Sequence, residues 1–285
     1  MRSVARRPLP PRPGLRHTEA DLRSPAAARA LAGVDVLFHL GFQLWEGKGG
    51  LAAMEAANVE GTANVLAGRP GRVVLASSAA VYGAWPTNPL PLTEEHPARP
   101  NPECPYAGHK LAVERRCQAQ APTVALRIAA VLGAHADRRV ARAAWGYRAA
   151  VPAVRGVTQA LQFVDEADAV DALRRAGGRS TAGVVNVATT DWLGASDVAG
   201  IAGGRVVAVP RWALIGLSEA GRRLRLAPFG ADRSVLLSGP LALSADRGAE
   251  VLGWRPRRTS REVLAEQLGT HRLEGPEPRS GAENP

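Results

Sequence analysis

Residues 72–83 read RVVLASSAAVYG. An almost unbroken apolar run that ends in two serines and a turn of small residues is the pattern of a strand buried on both faces. Strands of that kind belong to parallel sheets packed under helices, and such sheets bind ligands at the carboxyl edge, where Ser77 and Ser78 fall. Working outward, VDVLFHL (34–40), TVALRIAAVLG (123–133) and GVVNVAT (183–189) are further short β-branched runs. Alanine-rich stretches long enough for helices lie at 25–32, 51–67 and 106–120. The alternation predicts an α/β fold, a Rossmann-like doubly wound parallel sheet covered on both faces.

Past Gly133 the rhythm loosens: 134–156 carries Trp145 and Tyr147 among arginines, and 206–244 mixes apolar runs with turns. The expected organisation is a nucleotide-binding domain over 1–133, its sheet completed by 183–189, and a smaller C-terminal substrate lobe over most of 134–270. Residues 271–285, HRLEGPEPRSGAENP, are nearly devoid of apolar side chains and read as a disordered tail.

Composition narrows the function. The formal charge is +10, but the basic residues are spread along the chain and aromatic residues make up 5%, which argues against a nucleic-acid stripe or single-strand stacking platforms. Two cysteines, Cys104 and Cys117, are too few for a disulfide framework and match no zinc spacing, and the six histidines form no close pair. No metal site is expected. The apolar runs are strand-sized and MRSVARRPLPPRPG lacks a secretion signal's apolar stretch, so the expected place is the cytoplasm, away from membranes.

All but two of the 36 basic residues are arginine; the lysines are Lys48 and Lys110. Lys110 stands in CPYAGHK (104–110), four residues after Tyr106, so the two share one helix face one turn apart. An ammonium beside a phenol favours the phenolate and equips the tyrosine to give and take a proton. By itself the spacing fits a surface lysine beside a half-buried tyrosine better than a catalytic pair. Pro105 suits the first turn of the helix.

In register, these segments resemble the extended short-chain dehydrogenases/reductases, the NAD-dependent epimerase/dehydratase family, from about Arg2 to Gln267. The likeness is carried by DLRSPAAARALAGVDVLFHLG (21–41), NVEGTANVL (58–66), SSAAVYG (77–83), YAGHK (106–110), QFVDEADAVDAL (162–173), GVVNVAT (183–189) and VLGWRPRRTSREVL (251–264). It implies hydride transfer between a nicotinamide and a carbonyl or secondary alcohol, with Tyr106 as general acid/base, Lys110 as its partner on the nicotinamide ribose and Ser78 on the reacting oxygen. Arginine cannot replace that lysine's compact contact, which accounts for a lysine here. The resemblance also places Ser77 beside the cofactor or as a structural neighbour. It sets Asp21 and Leu22 at the turn flanking the adenine, Leu40 and Gly41 along the cofactor, and Asn58 beneath it. Asp21 also reads as a helix N-cap shared with Ser24. Helices 51–67 and 106–120 resemble those that pair in the family's homodimers.

Three departures qualify the likeness. The family's first strand and glycine-rich phosphate loop are absent ahead of these segments, and GKGG (47–50) follows no strand. Two readings stay open: a natural start about thirty residues upstream, or a shortened relative with little or no cofactor binding, serving as a binding or regulatory protein. Losing the middle strand is expected to leave unpaired backbone edges. LRIAAVLG carries Ala129 and Ala130 where nucleotide-sugar members usually have an asparagine, which argues for a different small-molecule substrate. ARRP (5–8) places Arg6 where NAD-specific relatives tend to be acidic, which turns the expectation toward NADP. Phe42, Trp45 and Trp85 are candidate pocket walls or packing residues. The reaction stays open between reductase, epimerase and dehydratase.

Overall fold

The computed structural model describes residues 1–47, 49–136, 138–224, 226 and 229–269. The tail expected over 271–285 lies outside the described residues. The chain opens with β1 (Arg2–Ala5) and β2 (Arg16–Glu19), which pair in parallel, Arg2 opposite Arg16 through Ala5 opposite Glu19. Helix α1 (Pro25–Ala30) starts at Ser24, whose hydroxyl accepts from the Ala27 N–H, with Pro25 in the first turn where its missing N–H costs nothing. β3 (Val36–His39) follows. Helix α2 (Gly50–Glu55) continues through one π-helical turn, Ala56–Glu60, into α3 (Gly61–Leu66). β4 (Arg72–Ser78) then leads, after a 3-10 turn and a long loop, to α4 (Pro105–Gln120) and β5 (Thr123–Ile128).

The second half runs β6 (Ala130–Leu132), α5 (Arg138–Gly146), β7 (Ala150–Val154), β8 (Phe163–Asp165), α6 (Glu166–Gly177) and β9 (Gly183–Val187). It closes with α7 (Ala195–Ala202), β10 (Arg205–Val209), α8 (Arg211–Arg223), α9 (Ala231–Ser234), α10 (Asp246–Leu252) and α11 (Ser260–Leu268). The main sheet is parallel, in the order β3-β4-β5-β9. Two smaller parallel pairs, β6–β8 and β7–β10, stand apart from it.

The apolar run of β4 is explained by two cores. Val73 and Leu75 join Leu37, Val65, Val113 and Ala125 in one cluster, on the side of α3 and α4. Val74 joins Val124, Leu126, Ala169, Ala172, Val185 and Trp254 in another, on the side of α6 and α10. Alternate residues of one strand thus feed opposite faces, and no polar position is left to show a period of two. A third core, with Leu132, Val151, Phe163, Val198 and Leu264, holds the lobe together.

Three features differ from the sequence reading. TVALRIAAVLG is two strands: β5 stays in the main sheet, while β6 turns away to pair with β8. The stretch 206–244, read as irregular, includes most of β10 and all of α8, a strand–helix unit of its own. Past 133, β9 completes the main sheet as expected for 183–189, while α6 and α10, read within the lobe, also pack on that sheet.

The sheet is also in two pieces. Among the described residues β1 pairs only with β2, and β3 only with β4, so each keeps one edge without a ladder partner. Phe38 and Leu40, at the open side, are 43% and 55% exposed. Val4 of β1 still packs on the cluster of Leu31, Leu37 and Val65.

Candidate active site

The carboxyl end of β4 and the first two turns of α4 make the site. Ser78 ends the strand, and its hydroxyl accepts from the Ala80 N–H at 3.2 Å, bending the chain into the 3-10 turn Ala79–Tyr82. Gly83 closes that turn at φ +70°, where an added Cβ would stand 2.4 Å from the Arg99 carbonyl oxygen. Tyr106, in the first turn of α4, is brought to Ser78 across the intervening loop. Burial raises the Tyr106 phenol above its ordinary value, and a hydrogen bond from Ser78 and the charge of Arg233 act in the opposite direction.

Lys110 lies one turn further along. Its buried ammonium donates to the Ala76 carbonyl at 2.7 Å, sits 3.7 Å from the centre of the Phe42 ring and lies 5.8 Å from the centre of the Tyr106 ring. Phe42 meets Tyr106 edge-on, with centroids 5.6 Å apart. Burial pulls the Lys110 ammonium down to about 7. Nearby His39, buried and 2.7 Å from the Thr62 hydroxyl, is lowered to about 4 by burial and then by the charge of Lys110. The chain thus brings Ser78, Tyr106 and Lys110 together at the carboxyl edge.

Beneath them lies a network the sequence reading missed. Ser77 donates to Glu114 at 2.9 Å, and Glu114 pairs with Arg127 at 2.6 Å, all three being buried. The Arg127 guanidinium faces the Tyr82 ring at 4.6 Å, and Tyr82 donates to Asn186 at 2.9 Å. Ser77 therefore fixes strand to helix. Arg233 was missed as well. It comes from α9 and sits between Trp45 (4.5 Å) and Tyr106 (4.3 Å). In a chain where almost every cation is arginine, nothing in the sequence marks this one.

The remaining cofactor candidates line the approach or support it. Arg6 borders a cavity of about 610 Å³ shared with Arg7, Arg23, Gln43, Trp45, Gly47, Gly49 and Arg139. Asp21 does not cap α1, since Ser24 does; it holds the Arg23 guanidinium at 2.9 Å, and the hydrogen bond from Arg23 lowers its carboxyl. Leu22 is packed so closely on Gly41 that an added Cβ there would stand 3.0 Å away. Leu40 is exposed. Asn58 is fully buried, accepting from the Gln43 N–H at 2.7 Å and donating to the Gln43 carbonyl at 3.0 Å, so it sets the backbone after β3. Trp85 turns to its own loop, donating to the Arg99 carbonyl under the Arg99 guanidinium.

The model of the NAD dependent epimerase/dehydratase family matches residues 2–188, and the chain belongs to that family. The uncharacterized protein Rv0501 of Mycobacterium tuberculosis is 29% identical over 260 residues, covering 86% of this chain and 68% of the relative. MoeE5 in complex with UDP-glucuronic acid and NAD superposes with a TM-score of 0.70 at 24% identity, over 95% of this chain and 90% of its own. RMD from Pseudomonas aeruginosa, complexed with NADPH, gives 0.65 at 20% identity over 91% of each chain. The fold is the Rossmann-like one of these solved structures. A nicotinamide cofactor fits the donor set in part: Arg6, Arg7 and Arg139 border the cavity beside Glu46, Arg23 there is held by Asp21, and Ser78, Tyr106 and Lys110 stand at the carboxyl edge.

Proposed function

We propose that this protein acts on a carbonyl or secondary alcohol of a small molecule, as a nicotinamide-dependent oxidoreductase or epimerase/dehydratase. The observation that carries the reading is the meeting of Ser78, Tyr106 and Lys110 where β4 ends and α4 begins. When bound, the nicotinamide supplies or takes the hydride. Tyr106 gives its phenolic proton to the reacting oxygen or takes one from it, and Ser78 holds that oxygen by a hydrogen bond. Lys110, anchored to the Ala76 carbonyl, is the residue that reaches for the ribose of the cofactor.

Arg6, at the border of the arginine-lined cavity, supports NADP over NAD, because a guanidinium matches a 2′-phosphate. Ala129 and Ala130 bear no side-chain hydrogen-bonding group, which supports a substrate other than a nucleotide sugar. The open edges of β1 and β3 favour a second reading, a non-catalytic binding protein that retains the fold without turning over a cofactor.

The test is a panel of carbonyl and secondary-alcohol substrates, followed by nicotinamide absorbance. Replacing Tyr106→Phe is expected to lower whichever turnover the wild type shows by about 100-fold or more. Wild-type turnover in that variant would overturn the assignment.

A further inference from the structure

Helix α8 turns an apolar strip toward solvent. Inward, Ala213 and Leu214 are buried and Ile215 packs on the cluster of Ala80, Cys104 and Val235. Each charged side chain of the helix already has a partner within the molecule: Arg211 is paired with Glu103 at 3.1 Å, and Glu219 holds both Arg222 and Arg223, at 2.6 and 3.0 Å. Outward, Trp212, Leu217 and Leu224, with Leu226 just beyond the helix, are between 68% and 81% exposed; among the described large apolar side chains only Met1 exceeds them. Trp212, Gly216, Ala220 and Leu224 follow at four-residue intervals and so share one strip, with Leu217 beside it. All four are exposed, and a Cβ added to Gly216 would meet nothing within 4 Å.

We propose that this strip docks a second copy of the chain, α8 against α8, antiparallel about a two-fold axis level with Ser218. The spacing is self-complementary. Trp212 and Leu224 stand six residues to either side of position 218, and Gly216 and Ala220 stand two to either side. Antiparallel pairing there lays Trp212 on the second copy's Leu224 and Gly216 on its Ala220, each contact made twice, as a two-fold interface requires. The small residues at the centre let the helix axes approach, and the bulky ones close the two ends. Charge selects this occupant over an anionic lipid surface. Every arginine of α8 already has a carboxylate, and the strip itself is uncharged, so two copies meet without stranding a charge. One helix face is small for an interface, so association is expected in about the micromolar range. The contact is separate from the homodimer expected through helices 51–67 and 106–120, and it uses no residue of the candidate active site.

The test is sedimentation velocity of the full chain from about 1 to about 100 µM, in wild type and in Leu217→Glu. Leu217 is exposed in the single chain, so the new carboxylate is solvated in the monomer and buried only in the pair. Far-UV circular dichroism checks that the variant is folded. Self-association of the wild type, weakened by about tenfold or more in Leu217→Glu, is the expected result. A wild type that stays monomeric throughout overturns the proposal, including one that pellets instead with phosphatidylglycerol vesicles. Association that Leu217→Glu weakens by less than about tenfold also overturns it, as a dimer held by helices 51–67 and 106–120 alone would give. If Leu217→Glu does not fold, Ala220→Glu is read in the same way. Register is read by oxidative cross-linking, for which the buried Cys104 and Cys117 are a silent background. The double variant Gly216→Cys, Ala220→Cys is expected to give a covalent dimer that neither single variant gives. Its absence, or equal cross-linking by a single variant, overturns the two-fold pairing and the proposal with it.

Discussion

Lys110 shows what a functional position costs a fold. Its ammonium is buried against a carbonyl and an aromatic face, and desolvation pulls it from its ordinary value to about 7. The folded protein therefore binds fewer protons at this site than the unfolded chain between about pH 7 and the usual lysine value near 10.4, and stability from this group rises with pH across that window. Below pH 7 the side chain is charged in both states and the full cost of burying it is present. Lys110→Met is accordingly expected to stabilise the protein by a few kcal/mol, on the order of the shift, at neutral and lower pH. The gain should fade as pH approaches 10, measured by urea unfolding at several pH values. A gain independent of pH would show that the ammonium is not buried as described. Lys110 was legible because lysine is so rare in this chain, and Tyr106 followed from the spacing. Arg233 was not legible, because its role comes from a fold-level stack of rings and its residue type is the commonest cation in the chain.

At the level of elements, β4, β5 and α4 are locked by the buried Ser77–Glu114–Arg127 network. Removing one member leaves the other charge buried and unpaired, which costs about 3–5 kcal/mol. Glu114→Gln should lower the unfolding free energy obtained from urea titration by that much, while the double variant Glu114→Gln, Arg127→Met should lose less than the sum of the losses in Glu114→Gln and Arg127→Met. Strict additivity would mean that the two side chains do not interact. The turn after β4 is equally specific: Gly83→Ala forces a side chain into a left-handed backbone against the Arg99 carbonyl and should cost about 1–3 kcal/mol, read by thermal unfolding. The strands at 36–39, 72–78 and 183–187 were legible as β-branched runs. The break between β5 and β6 was not, because both halves are apolar and nothing in such a run marks the residue at which the chain changes sheets. The π-helical turn Ala56–Glu60 was also invisible, since its residues are ordinary helix residues.

For the whole molecule, the sheet, its two apolar faces and the site at its carboxyl edge follow from the sequence pattern and the family. Among the described residues no helix is long and apolar enough to cross a membrane. The gap between β1–β2 and the main sheet matches the unpaired edges expected from the missing middle strand, whereas only the folded chain shows a lobe that sends Arg233 and Phe229 over the site. This arrangement is proposed to bind a nicotinamide dinucleotide, with Arg6 choosing the phosphorylated form. Titration of the full chain with NADPH and with NADH, followed by nicotinamide fluorescence and repeated on Arg6→Gln, tests it most directly. Saturable binding, with NADPH favoured by about tenfold, equivalent to about 1.4 kcal/mol, and with that preference lost in Arg6→Gln, is the predicted result. No binding of either dinucleotide by a protein that unfolds cooperatively would contradict it and leave the non-catalytic reading in its place.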